Sequence, residues 1–194
     1  MGSIVLWLLP LATALTGSRA SAQVLSPAIS VPVSATKPGQ LTVSPTVNAT
    51  QTAPSIADGT TTPFGPGPVG ITTQWDVKPG KVASIRLVGY FSAAGAALTN
   101  EVGDPITSGE VEAQMTTVAG MTWTPFTQAP VTAGTATVGT PGASLLFWTV
   151  AVSGGNKQTS RVDQLSLRLN MTGRGAPLPA GTYTGTLYLR AIAF

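Results

Sequence analysis

From position 69 onward, apolar side chains recur at every second position, the period of a strand with one face on a core. Residues 69–77 place Ile71, Thr73, Trp75 and Val77 on one face. Residues 82–92 place Ile85, Leu87 and Phe91 on one face, with Arg86 and Tyr90 on the other. Lys78-Pro79-Gly80-Lys81 between them is a turn, so the two runs are expected to pair as a β-hairpin. A short strand is expected over 110–118, and a strand or ordered loop interrupted by Pro125 over 121–126. Residues 129–142 are rich in Thr, Gly and Pro and read as a loop. Residues 144–152 are apolar on both parities, the pattern of a central strand covered on both faces. Residues 161–171 alternate strongly, with Leu165, Leu167, Leu169 and Met171 inward and Ser166, Arg168 and Asn170 outward. The closing run, 180–194, sets Tyr183, Leu187 and Leu189 on one face. Thr184, Thr186, Tyr188 and Arg190 take the other, where Ile192 and Phe194 add apolar groups. A strand with two apolar faces needs cover on both sides, or it leaves an edge open to another chain. No stretch keeps a helical period for three turns. About seven strands separated by turn signals predict an all-β fold, an antiparallel immunoglobulin-like β-sandwich. A closed barrel is the competing architecture.

The first 68 residues lack this regularity. Residues 4–15 are mostly apolar, and Ala20-Ser21-Ala22 fits an A-x-A cleavage signature, so 1–22 is expected to be a signal peptide. The segment Met1-Gly2-Ser3 departs from that pattern by carrying no Lys or Arg. The apolar run is short for a bilayer span and contains Pro10. No other segment is long and apolar enough to cross, so the protein is expected to be secreted, to the periplasm, cell surface or medium, without a transmembrane anchor. Residues 23–68 are rich in Pro, Thr, Ser, Ala and Gly and read as an extended N-terminal arm or linker, with one strand near 40–47. The stretch TTTPFGPGP at 60–68 removes backbone donors and loosens the chain. The expected organisation is signal peptide 1–22, arm 23–68 and sandwich 69–194.

Composition narrows the chemistry. The chain has no Cys and no His. Disulfides, Cys nucleophiles and Ser-His-Asp triads are thereby excluded, as are the usual zinc sites. The usual general base and the physiological pH switch are missing too. Ten Lys and Arg against seven Asp and Glu form no basic run, so nucleic acid is not an expected partner. The expectation is a non-enzymatic protein without a cofactor.

Three groups remain as candidate sites. Asn100, Glu101, Asp104, Glu110 and Glu112 concentrate the scarce acids. Calcium would suit such oxygens, and a paired-carboxylate glycosidase could use them. Their spacing matches no loop motif and nothing marks one acid as buried, so a solvated face is expected. Trp75 and Trp148 lie in apolar runs and read as core. Trp123, beside Pro125 and Phe126, is the candidate for stacking a sugar ring. It would serve an alternative function, a monomeric carbohydrate- or protein-binding module. Arg161 and Asp163 share a parity and could pair across one face.

The tail Leu178-Pro179-Ala180-Gly181-Thr182-Tyr183-Thr184-Gly185-Thr186-Leu187 resembles the C-terminal strand of spore coat protein U-like domains, which belong with the archaic chaperone–usher pilins. Like members of that family, the chain has a Pro-Ala-Gly-Thr-Tyr turn, an alternating strand and a terminal aromatic, Phe194. The likeness covers about the last 35 residues, counted from the alternating strand that precedes this tail. The middle of the chain, with Trp75, Gly89-Tyr90-Phe91-Ser92 and Arg161, is similar to secreted acidobacterial proteins of unknown function. The pilin resemblance implies an incomplete sandwich that lacks one strand. A periplasmic chaperone lends that strand first, and the arm of the next subunit replaces it, by β-augmentation. It implies an assembly edge at Tyr183, Leu187, Leu189, Ile192 and Phe194. It also implies a donor arm at Ile29, Val31 and Val33, in which Pro32 deletes one ladder donor. Disulfides, frequent in that family, are absent here.

Overall fold

The structure is a computed structural model that describes Ser34 and residues 37–53, 55–78 and 80–194. The chain divides at Lys37, and the unit described below is Lys37–Phe194. Thirteen strands follow in order: β1 Gln40–Val47, β2 Thr61–Pro63, β3 Val69–Asp76, β4 Ser84–Tyr90, β5 Leu98–Thr99, β6 Pro105–Ile106 and β7 Val111–Met115. Then come β8 Thr124–Pro125, β9 Val131–Ala133, β10 Ala136–Val138, β11 Ser144–Ala151, β12 Gln158–Asn170 and β13 Tyr188–Ala193. One 3-10 turn, Ser108–Glu110, leads into β7. All pairings are antiparallel, and seven strands have five residues or more. The fold is an antiparallel all-β sandwich.

The larger sheet runs β1-β3-β12-β7-β8, with β2 also on β12. The smaller runs β11-β4-β13. Alternation decides which side chains meet between them. Val69, Ile71, Thr73 and Trp75 of β3 face Ile85, Leu87 and Gly89 of β4, and Leu165, Leu167 and Leu169 of β12 complete the floor. Each such leucine contributes about 1.5–3 kcal/mol by leaving water. Trp75 and Trp148 are both buried, with ring centroids 6.5 Å apart.

Three expectations are corrected. Residues 69–77 and 82–92 do not form a hairpin, because β3 and β4 lie in opposite sheets. Both strands bury a face toward the same core, so the connection between them crosses from one layer to the other. β11 is not central but an edge, and β4 is the central strand. Its apolar residues on both parities have a local cause: the register slips between Leu146 and Trp148. This β-bulge reverses the parity, so Leu145 is buried before it and Trp148 after it. Gly89, opposite Leu145, leaves the room that Phe147 fills: a Cβ there would stand 2.6 Å from the Phe147 ring. Lastly, residues 37–68 are not an arm outside the sandwich, although the strand expected near 40–47 is there as β1. β1 pairs along its length with β3, and β2 pairs with β12.

Residues 129–142, expected to be loop, contain the hairpin β9–β10, turned at Gly134 with φ 59°. Ala133 and Val138 of this hairpin bury Val88 and Ile192 on the outer face of the smaller sheet. Tyr90, Leu146 and Phe194 pack around them. The second apolar face of the closing strand is therefore covered from within the same chain.

Candidate functional site

β13 is shorter than the expected strand. Residues 181–187 are irregular, with one bridge in which Thr184 and Thr99 exchange both N–H···O bonds at 2.9 Å. Gly185 explains the break, since any Cβ there would meet the Ala97 carbonyl at 2.0 Å. From Tyr188 the chain pairs with β4 as far as Ala193. The Phe194 carbonyl accepts from the N–H groups of Ala83 (2.6 Å) and Ser84 (2.9 Å). Alternation places Leu187 and Leu189 toward the inter-sheet core, and Tyr183 packs there as well. Ile192 and Phe194 face the β9–β10 side. Tyr188 stacks on Tyr90 at 5.4 Å and is 46% exposed.

β13 ends the smaller sheet and β1 ends the larger one, so among the described residues each has an unpaired edge. The two edges approach each other across the seam of the sandwich without pairing. Between them opens a groove of 560 Å³ whose walls include Val43 and Pro45 of β1 and Leu187 and Leu189. Its floor is the core itself: Val69, Phe91, Val111, Leu165 and Leu167. Phe64 and Leu98 also line a second recess of 880 Å³, which runs on beside Asp58, Leu178, Pro179 and Tyr183. Unpaired main-chain edges above an apolar floor can take up an extended segment: hydrogen bonds along the edge, alternate side chains in the floor. Tyr183, Leu187 and Leu189 of the expected assembly edge line these recesses, and Ile192 and Phe194 do not. Ile29, Val31 and Val33 lie outside the described residues. Phe64 and Leu98 were missed, since a Pro/Gly-rich stretch and a two-residue strand carry no alternation long enough to read.

Tyr183 also anchors the lower wall. Its hydroxyl donates to the Pro179 carbonyl (2.8 Å) and accepts from Asn100 Nδ2 (3.4 Å). Partial burial, then the nearby Asp104 carboxylate, push its phenol above the ordinary value of 10.0. The folded state thus holds this proton more tightly than the unfolded chain. Its contribution to stability is complete below the ordinary tyrosine range and declines as pH rises through the raised value. An ultraviolet titration should show one of the three tyrosines ionising later than free tyrosine, and Tyr183→Phe should remove that late step.

The remaining candidates are used within the fold. Asp163 is fully buried. It accepts from Arg161 Nε (2.8 and 2.9 Å), Trp148 Nε1 (2.9 Å) and Thr117 Oγ1 (2.5 Å). Of the acids expected on a solvated face, Glu101 is exposed, whereas Glu110 and Glu112 are engaged within the fold. Glu110 receives the Thr107 N–H (2.7 Å) and Arg174 Nη1 (2.9 Å). Glu112 is buried and receives Arg168 Nε (2.6 Å) and Asn170 Nδ2 (2.7 Å). Among the described residues no three acids converge on one point. Trp123 is half-buried, and the Arg168 guanidinium lies 4.5 Å from its ring centre. Among the described residues no helix is long and apolar enough to cross a membrane. No protein-family model matches the chain, and a search of curated proteins found none similar in sequence.

Proposed function

We propose that this chain is a secreted, non-enzymatic structural or interaction protein that assembles by strand addition, as a pilus or surface-fibre subunit does. The observation that carries this reading is the groove between the open edges of β1 and β13, floored by core side chains. An added strand would complete the smaller sheet beside β13 and cover the half-buried Leu187 and Leu189 of the groove wall. The donor is the segment holding Ile29, Val31 and Val33 of another copy, or beforehand the strand of a periplasmic chaperone. β1 belongs to the sheet, so the cut that separates donor from acceptor falls at position 36 rather than after β1.

The chain from residue 23 should sediment as polymers, and a chain trimmed to 37–194 should not. A synthetic peptide of residues 23–36 should then raise the melting temperature of the trimmed chain. Ligand at about a hundred times its Kd stabilises by about 2.7 kcal/mol. Leu187→Arg, placing a charge in the groove wall, should cancel that gain. A stable monomer, indifferent both to trimming and to the peptide, would refute strand addition.

A further inference from the structure

Ionised side chains are sorted along the strand axis. The ladder defines that axis: Gln40, Asp76 and Gln158 align across β1, β3 and β12 at one end. Pro63, Arg168 and Glu112 align across β2, β12 and β7 near the other. The 77–83 connection and the 152–157 turn both lie at the first end, since Val77 N–H bonds the Lys157 carbonyl and Ala151 pairs with Ser84. They carry Lys78, Lys81 and Lys157, all exposed and, among the described residues, without an acid partner. Arg86 stands near the start of β4, and Lys37 enters the sandwich there, bonded to Asp76. That end holds five cations and one carboxylate, a side-chain charge of +4.

The opposite end holds Asp58, Glu101, Asp104, Glu110 and Glu112 against Arg168, Arg174 and Arg190, which pairs with Val88 two residues from the end of β4, a side-chain charge of −2. Its most prominent part is the loop 100–104. Asn100 Oδ1 accepts from the N–H groups of Val102 (3.2 Å) and Asp104 (2.7 Å) and stiffens it. Val102, 79% exposed, stands at its tip beside exposed Glu101. The groove continues to this same acidic end, where Asp58, Pro179 and Tyr183 line it. The chain enters the sandwich at the basic end. A donor segment leaving one copy by its basic end therefore meets the groove of the next copy at its acidic end.

We infer that the basic end of one copy docks on the acidic end of the next, a head-to-tail contact between copies of this chain that orders their assembly. The inference rests on the strand-addition reading. Opposite charges brought together in this way speed association by about 10–1000-fold and lose that advantage in salt. Exposed charges are screened beyond about 8 Å at physiological ionic strength.

Two variants of the chain from residue 23 test it by light scattering at low and high salt. One carries Lys78→Glu, Lys81→Glu and Lys157→Glu, so both ends are acidic. The other carries Asp58→Lys and Glu101→Lys, which makes the acidic end basic. Each alone should assemble at least about ten times more slowly than the parent at low salt. An equimolar mixture should recover the parent rate, because opposite ends again meet, and misfolded variants would show no such rescue. Circular dichroism of each variant checks the fold. Variants as fast as the parent, or a mixture as slow as its components, overturn the head-to-tail contact and leave strand addition standing. A parent chain that does not polymerise at all overturns both.

Discussion

Asp163→Ala is expected to lower the stability of the sandwich by about 3 kcal/mol, read as a shift of the urea midpoint at constant slope. The carboxylate lies at an inward position of β12, in line with Leu165 and Leu167, and is fully buried. Its charge is tolerable there because three donors surround it: Arg161, the Trp148 indole and the Thr117 hydroxyl. Removing it strands the Trp148 N–H against the core, and a buried unpaired donor costs about 1–3 kcal/mol. Arg161 also loses its only ion-pair partner among the described residues. It retains enough exposure to reach water, which keeps the loss near the lower end for a broken buried pair. Asp163→Asn keeps the shape and one acceptor oxygen, so about half the loss is expected. A double change, Arg161→Met with Asp163→Leu, should fold better than Asp163→Ala, since it leaves no unpaired charge behind. Equal midpoints for Asp163→Ala and the parent would show that the cluster contributes nothing net.

Gly89→Ala carries the second large effect, about 2–3 kcal/mol, from overpacking rather than from a lost contact. The new Cβ would lie 2.6 Å from one Phe147 ring carbon and 3.1 Å from Phe126. Phe147 cannot swing aside, because its ring meets Phe126 edge-on at 6.2 Å, and Phe126 meets Phe91 edge-on at 5.0 Å. Shrinking the neighbour should recover part of the loss: Phe147→Leu in the Gly89→Ala background ought to cost less than the same change in the parent. The coupling from that double-mutant cycle should exceed about 1 kcal/mol. Additive losses would mean that the smaller sheet moves bodily to admit the methyl group.

What was legible in the sequence was parity. Leu165, Leu167, Leu169 and Met171 point inward as their alternation requires, and so do Ile85, Leu87 and Phe91. One residue of slippage would turn each row to solvent. Strand partners were not legible. Lys78-Pro79-Gly80-Lys81 marks a change of direction but not whether the chain returns to its own sheet or crosses to the other. β11 was misplaced because a bulge and a doubly covered strand leave the same trace, apolar residues on both parities. The hairpin β9–β10 was hidden by strands of three residues, too short for any period to show. Of the site, the inward row Tyr183, Leu187 and Leu189 was readable. The facing strand β1 was legible as a strand near 40–47, from Leu41 and Val43 before Pro45, but its pairing with β3 was not, because the composition around it suggested a linker.

The β9–β10 hairpin also decides what shape an assembly can take. By lying over Val88 and Ile192, it denies neighbours the flat side of the smaller sheet. Sandwiches that meet flat side to flat side stack into layers that thicken without limit. Here one of the two flat sides is closed in this way, so stacking through both sides is blocked, and the proposed strand addition would extend an assembly through the groove and the ends instead.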